Sequence, residues 1–173
     1  MNIVHEEKLS RQHAKEVQEI LYAADGEFVP ALSAREGTTQ TNLQEQAALA
    51  SEPVEYFEKM CQQAFVLATI EHRVVGFLSY IPKHALTVCG ADIACSYVST
   101  IVVAPEYRGR HLTEAMYEKL FSCTEDAYVA TRTWSENHGH IHILDKLNFY
   151  LAETIKDDRG AGIDTVYYVR EIA

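Results

Sequence analysis

The sequence predicts an α/β protein, one domain (residues 1–173) built on a mixed β-sheet flanked by helices. Three observations predict it. The elements read from hydrophobic periodicity follow the order β-α-(α)-β-β-β-α-β-α-β-β. The stretch Tyr97 to Phe121 passes from a β-branched apolar run, through a basic turn, into a helix. The chain has 173 residues, 47% of them hydrophobic, which suits one domain with a sizeable core.

Asn2 to Val4 reads as a short first strand. Ser10 is placed as an N-cap, and Ala14, Val17, Ile20, Leu21 and Ala24 make an apolar stripe, so residues 11–24 read as an amphipathic helix. Asp25-Gly26 ends it. Glu27 to Gln46 reads as a long irregular connection, and such loops often carry function. Glu52 to Gln62 reads as a second helix. Ala64 to Ile70 and Val74 to Ile81 are apolar strands around Glu71-His72-Arg73, a hairpin signature. Pro82 to Asp92 reads as a further connection. After the central strand and helix come a strand at Ala127 to Thr133, a short helix from His138 to Leu147 capped by Ser135 or Asn137, and strands at Phe149 to Ile155 and Thr165 to Ile172.

Composition excludes several function classes. The formal net charge of −10 argues against nucleic acid as a partner, and obliges any anionic ligand to find a local basic patch. No apolar run approaches the ~20 residues a membrane span needs, so no membrane role is expected. MNIVHEEKLS lacks the regions of a signal peptide, so a cytoplasmic location is expected. The four cysteines, Cys61, Cys89, Cys95 and Cys123, form no CxxC pair and are expected to be reduced.

The central stretch carries the chemistry. Tyr97 to Val103 is a buried strand, which Ala104-Pro105 stops. Leu112, Ala115, Met116 and Leu120 recur at helical spacing. The first turn of a helix presents unpaired N–H groups and a positive dipole end, which suit a phosphate. Gly109 admits close approach, and Arg108 and Arg110 add charge. Val103, Pro105, Arg108, Gly109, Arg110, His111, Leu112 and Thr113 resemble the acyl-coenzyme A loop of the GNAT family of N-acetyltransferases, whose pattern is V-x-P-x-x-R-G-x-G-x-G/A. His111 and Thr113 replace the family's second and third small residues. A second patch resembles the same family: Asn137, then a short helix, then Lys146 to Phe149 (KLNF), where Asn148 replaces the usual Gly.

The resemblance implies direct transfer of an acetyl group from acetyl-CoA to the primary amine of a small-molecule acceptor, with no metal. It implies that Ile101 and Val103 meet the pantetheine arm, that Arg108, Gly109, Arg110, His111, Leu112 and Thr113 meet the pyrophosphate, and that Asn137 reaches the cofactor from the other side. The family's usual proton donor, a Tyr seven residues after that Asn, falls here on Leu144. His140 lies one turn earlier on the same face and is expected to be catalytic, protonating the leaving thiolate; the alternative is that water does so and His140 packs. Acceptors of the family enter between the first helices and the last hairpin. Phe28 to Thr39 and Lys156 to Asp164 should therefore flank the acceptor, with Arg35 or Arg159 binding an acceptor carboxylate, or Asp157, Asp158 and Asp164 favouring a cationic amine. His138 and His142, with Asp145, share a face that can in principle hold a metal, but none is expected. The rival function is a non-catalytic acyl-CoA-binding module of the same fold. A homodimer is among the assemblies such a domain can form.

Overall fold

The computed structural model describes residues 1–44 and 52–172. The strands are β1 (Asn2–Glu6), β2 (Ala64–Ile70), β3 (Arg73–Val88), β4 (Ala91–Val103), β5 (Tyr128–Trp134), β6 (Tyr150–Ile155) and β7 (Thr165–Glu171). The helices are α1 (Arg11–Ala24), α2 (Val54–Met60), α3 (Leu112–Cys123) and α4 (His138–Lys146). The strands form one sheet in the order β1-β2-β3-β4-β5-β7-β6, antiparallel throughout except for the parallel pair β4 and β5. The residues expected at 45–46, the end of the long connection, lie outside the described residues.

Period-2 alternation explains the two-sided core. In β2, Val66 and Ala68 face the cluster that holds Leu112, Met116 and Leu120 of α3 and Leu144 of α4. Phe65 and Leu67 face the opposite cluster, with Val17 and Leu21 of α1 and Tyr56 and Met60 of α2. The strand is buried on both faces, which is why it reads as a continuous apolar run rather than an alternating one. α1 starts where expected: the Ser10 side chain accepts from the His13 N–H at 3.4 Å.

One expected connection is a strand. Residues 82–92 continue β3 to Val88 and begin β4 at Ala91, with a two-residue turn at Cys89-Gly90. Pro82 cannot donate to a ladder, and the chain accommodates it with a register shift between Ile81 and His84 and a left-handed Lys83 (φ 53°). The extended hairpin adds a third cluster, in which Leu86 and Val88 meet Cys95, Tyr97 and Val169. Both hairpin turns use left-handed backbone, Glu71-His72 (φ 50° and 65°) and Cys89-Gly90 (φ 49° and 75°), as two-residue turns with matching twist require.

Candidate active site

The parallel pairing of β4 with β5 runs from Cys95 opposite Tyr128 to Val98 opposite Thr131. From there β5 follows β7, with Arg132 opposite Tyr167 and Trp134 opposite Thr165, while β4 stays with β3. The strands therefore part like the arms of a wedge. The Thr131 hydroxyl donates to the Val98 carbonyl at 2.9 Å and pins the fork. A cavity of about 560 Å³ opens in the wedge, walled by Ser99 to Val103 on one side and Thr131 to Trp134 on the other.

One end of the cavity is the turn into α3. Gly109 (φ 73°) and His111 (φ 59°) are left-handed, which curls the backbone so that successive N–H groups face one way. Among the described residues, no N–H from Gly109 to Thr113 bonds a backbone acceptor, whereas Ala115, two residues on, bonds the His111 carbonyl at 3.0 Å. The His111 side chain folds back to Glu114 at 3.3 Å, so it does not fill the cradle. Arg108 is engaged on the protein side. Its Nε donates to the Val103 carbonyl at 2.9 Å, and its Nη2 pairs with Glu27 at 2.8 Å. Arg110 lies over the Tyr107 ring at 5.2 Å and is not among the cavity's lining residues.

The middle of the cavity is lined by Ile101, Asn137 and His140. Asn137 donates to Thr133 Oγ1 at 2.9 Å, which ties α4 to β5. His140 stands 3.0 Å from the Tyr117 hydroxyl through Nε2 and stacks on that ring. Burial pushes the imidazole pKa down to about 4, and pushes the Tyr117 phenol upward. Leu144, at the position of the family's tyrosine, is fully buried in the core and turned away from the cavity.

The far end carries three arginines. Arg35 and Arg159 are 7% and 4% exposed, and Arg132 is half-buried. Arg35 donates to the Pro30 carbonyl through Nε and Nη2, at 3.1 and 2.9 Å. Arg159 donates to Thr165 Oγ1 at 2.9 Å and to the Val29 carbonyl at 2.7 Å. Arg132 donates to the Tyr167 hydroxyl at 3.4 Å and to the Gln40 carbonyl. The segment from Glu27 to Gln40 is thus tied to the α3 turn through Glu27, to the β6–β7 turn through Val29 and to β5 through Gln40.

Of the residues expected at the site, Ile101, Val103, Arg108, Gly109, His111, Leu112, Thr113, Asn137, His140, Arg35 and Arg159 line this one cavity; Arg110 is the exception. The aspartates of the last turn serve the turn itself. Asp157 accepts from the Gly162 N–H at 2.6 Å, Asp158 from Thr165 at 2.5 Å, and Asp164 from the Asp157 N–H at 2.9 Å. Arg132, Tyr117 and Glu27 were not expected. Arg132 had a signal, a charge inside the run Val129-Ala130-Thr131-Arg132-Thr133. Among the described residues, no group of three or more His, Cys, Asp or Glu can hold a metal ion, and no helix is long and apolar enough to cross a membrane.

Comparison with known proteins gives the fold and geometry a context. No curated protein matches the chain. Among solved structures, an N-acetyltransferase from Staphylococcus aureus Mu50 is similar at a TM-score of 0.69, with 14% identity over 100% of both chains. The aminoglycoside 6'-N-acetyltransferase from Enterococcus faecium has a TM-score of 0.69 and 14% identity, covering 100% of this chain and 98% of that one. An aminoglycoside 6'-N-acetyltransferase complexed with coenzyme A has a TM-score of 0.69 and 13% identity, over 100% and 98%. At these identities the likeness shows a shared fold. The model of the acetyltransferase (GNAT) domain matches residues 20–132, about two thirds of the sequence, and this chain belongs to the GNAT family of acetyltransferases.

Proposed function

We propose that this protein transfers an acetyl group from acetyl-CoA to the primary amine of a small molecule. The observation that carries the reading is the run of N–H groups without a backbone acceptor from Gly109 to Thr113, opening into the wedge between β4 and β5. Such a run, at the positive end of a helix, fits a pyrophosphate. The wedge leaves the β4 edge at Ile101 available to an extended pantetheine arm, while the Val103 carbonyl is already held by Arg108. A neighbour of the same fold is described with coenzyme A, which supports the donor, and aminoglycoside-acetylating neighbours support a small amine acceptor.

In the reaction the amine nitrogen attacks the thioester carbonyl. The N–C bond forms, the C–S bond breaks, and one amine proton ends on the coenzyme A sulfur. Holding both reactants in the wedge supplies the orientation that such a transfer needs. We assign His140 to the proton. A pKa of about 4 means that the resting imidazole is neutral and stores no proton at pH 7. The neutral ring is instead the form that can accept the amine's proton and then hand it to the thiolate. With Nε2 engaged by Tyr117, Nδ1 is the nitrogen left for a reactant.

Free-thiol release from acetyl-CoA with a broad amine panel tests transfer, and calorimetry with acetyl-CoA tests the site. A charged hydrogen bond contributes on the order of 1.5–3 kcal/mol, so Arg108→Ala should weaken acetyl-CoA by at least several-fold. Glu27→Gln removes the carboxylate that competes for Arg108, and should leave affinity equal or higher. Unchanged affinity in a folded Arg108→Ala protein would sink the cofactor assignment.

A further inference from the structure

Resting on the acetyl-transfer reading, we propose that the acceptor is a primary amine that also carries at least two negative charges, seated on the guanidinium groups of Arg35, Arg132 and Arg159. This goes beyond a single carboxylate on a single arginine, and it turns the site away from polycationic acceptors such as aminoglycosides.

Among the described residues, none of the three arginines forms an ion pair; their partners are carbonyls and hydroxyls of Pro30, Val29, Gln40, Thr165 and Tyr167. The nearest carboxylates make their hydrogen bonds elsewhere, Asp158 with Thr165 and Asp25 with Ser33, and act on Arg159 and Arg35 through charge alone. Burying a cation is costly unless it is paired, and here three are gathered at one end of one cavity in a protein of net charge −10. Their mutual repulsion is felt: burial, then Arg35 and Arg132, bring the Arg159 pKa down to about 9, which still leaves it charged at neutral pH.

The guanidinium groups also keep donors in reserve. Arg35 uses Nε and Nη2, and Arg159 uses Nε and Nη1. Among the described residues, Arg35 Nη1 and Arg159 Nη2 have no acceptor, yet no buried side-chain nitrogen is left unsatisfied, so both abut accessible space. Both side chains line the cavity. Planar, charged donors that border a cavity match oxyanions, and three guanidinium groups offer more donors than one carboxylate takes up. A dicarboxylate or a phosphate monoester uses them far better. The cradle proposed for the coenzyme's own phosphates is the α3 turn, made of other residues, Gly109 to Thr113.

The test uses the full chain with acetyl-CoA. Thiol release is compared for glutamate against glutamine, ethanolamine phosphate against ethanolamine, and an aminoglycoside. In at least one pair the more anionic amine should exceed its partner by tenfold or more in kcat/KM, with the phosphate and dicarboxylate arms telling the two oxyanions apart. Equal use within both pairs, or preference for the aminoglycoside, overturns the proposal. Calorimetry with glutarate and with inorganic phosphate decides the case if no amine of the panel reacts. Binding to the acetyl-CoA-loaded wild type, weakened tenfold or more in Arg159→Gln or in the charge-keeping Arg132→Lys, supports it. No binding by either anion, or displacement of acetyl-CoA by them, overturns it. Loss of transfer is a separate result: if no amine of any class releases thiol, the acetyl-transfer reading falls, while the anion titration still judges the arginine site.

Discussion

In the proposed reaction, His140 is the residue assigned to the proton. It lines the cavity, holds the Tyr117 hydroxyl at 3.0 Å, and is kept neutral by burial. A stored acid would need the imidazolium, which at a pKa of about 4 is only ~0.1% populated at pH 7. A shuttle needs the neutral ring first, and this environment supplies it. A positioned proton-transfer group is worth ~10²–10⁴-fold in rate, so His140→Ala should lower kcat by about that much while acetyl-CoA affinity changes little. His140→Gln should not restore the rate, since it keeps a hydrogen bond to Tyr117 but moves no proton. A His140→Ala enzyme with more than about a third of wild-type kcat would leave the proton to water and His140 to packing.

The turn from Gly109 to Leu112 shows how an element can keep its geometry while its sequence departs from the family pattern. His111 stands where that pattern has glycine, and it adopts the glycine conformation, φ 59° and ψ 25°. The same holds at the end of α4, where Asn148 (φ 60°) takes the glycine position and the Phe149 N–H closes onto the Leu144 carbonyl at 3.0 Å. Asn tolerates left-handed backbone better than His does, so the strain sits in the turn into α3. A left-handed residue with a Cβ costs roughly 1–2 kcal/mol, and the exposed His111–Glu114 contact offsets little of it. His111→Gly should therefore raise stability in urea unfolding by up to about 1 kcal/mol once the added chain entropy of glycine is counted, and should keep acetyl-CoA affinity within a few-fold. A less stable variant would mean that the side chain supports the turn. The sequence carries the strand–turn–helix plan here because glycine, arginine and periodicity are local signals. It could not carry the outcome at Pro82, where pairing with β4 overrides a local strand breaker. Nor could it bring Arg132, Arg35 and Arg159 together, since residues from β5, the long connection and the last turn meet only through the wedge.

At the scale of the whole molecule, acid stability is where these local facts become one measurable quantity. The protein carries a net charge of −10 at pH 7 and has a pI of about 5.2, so lowering the pH removes self-repulsion and on that ground alone should stabilise the fold. His140 works in the opposite direction. In the unfolded chain its imidazole takes up a proton near the ordinary value of 6.5; in the folded protein burial holds protonation off until about 4. Between those values the unfolded state binds more protons, so stability falls as pH falls, and none of this term is lost above 6.5. The full difference amounts to at most about 3 kcal/mol, less in so far as the open cavity lets water reach the ring. Because the net-charge term is common to wild type and variant, the comparison with His140→Gln isolates the histidine. Urea unfolding at pH 7, 5.5 and 4.5 should show wild type losing stability relative to His140→Gln at each step down, by one to a few kcal/mol in total. Parallel pH profiles for the two proteins would mean that the imidazole titrates near its ordinary value, and the neutral ring that the proton shuttle requires would then not be secured by the fold.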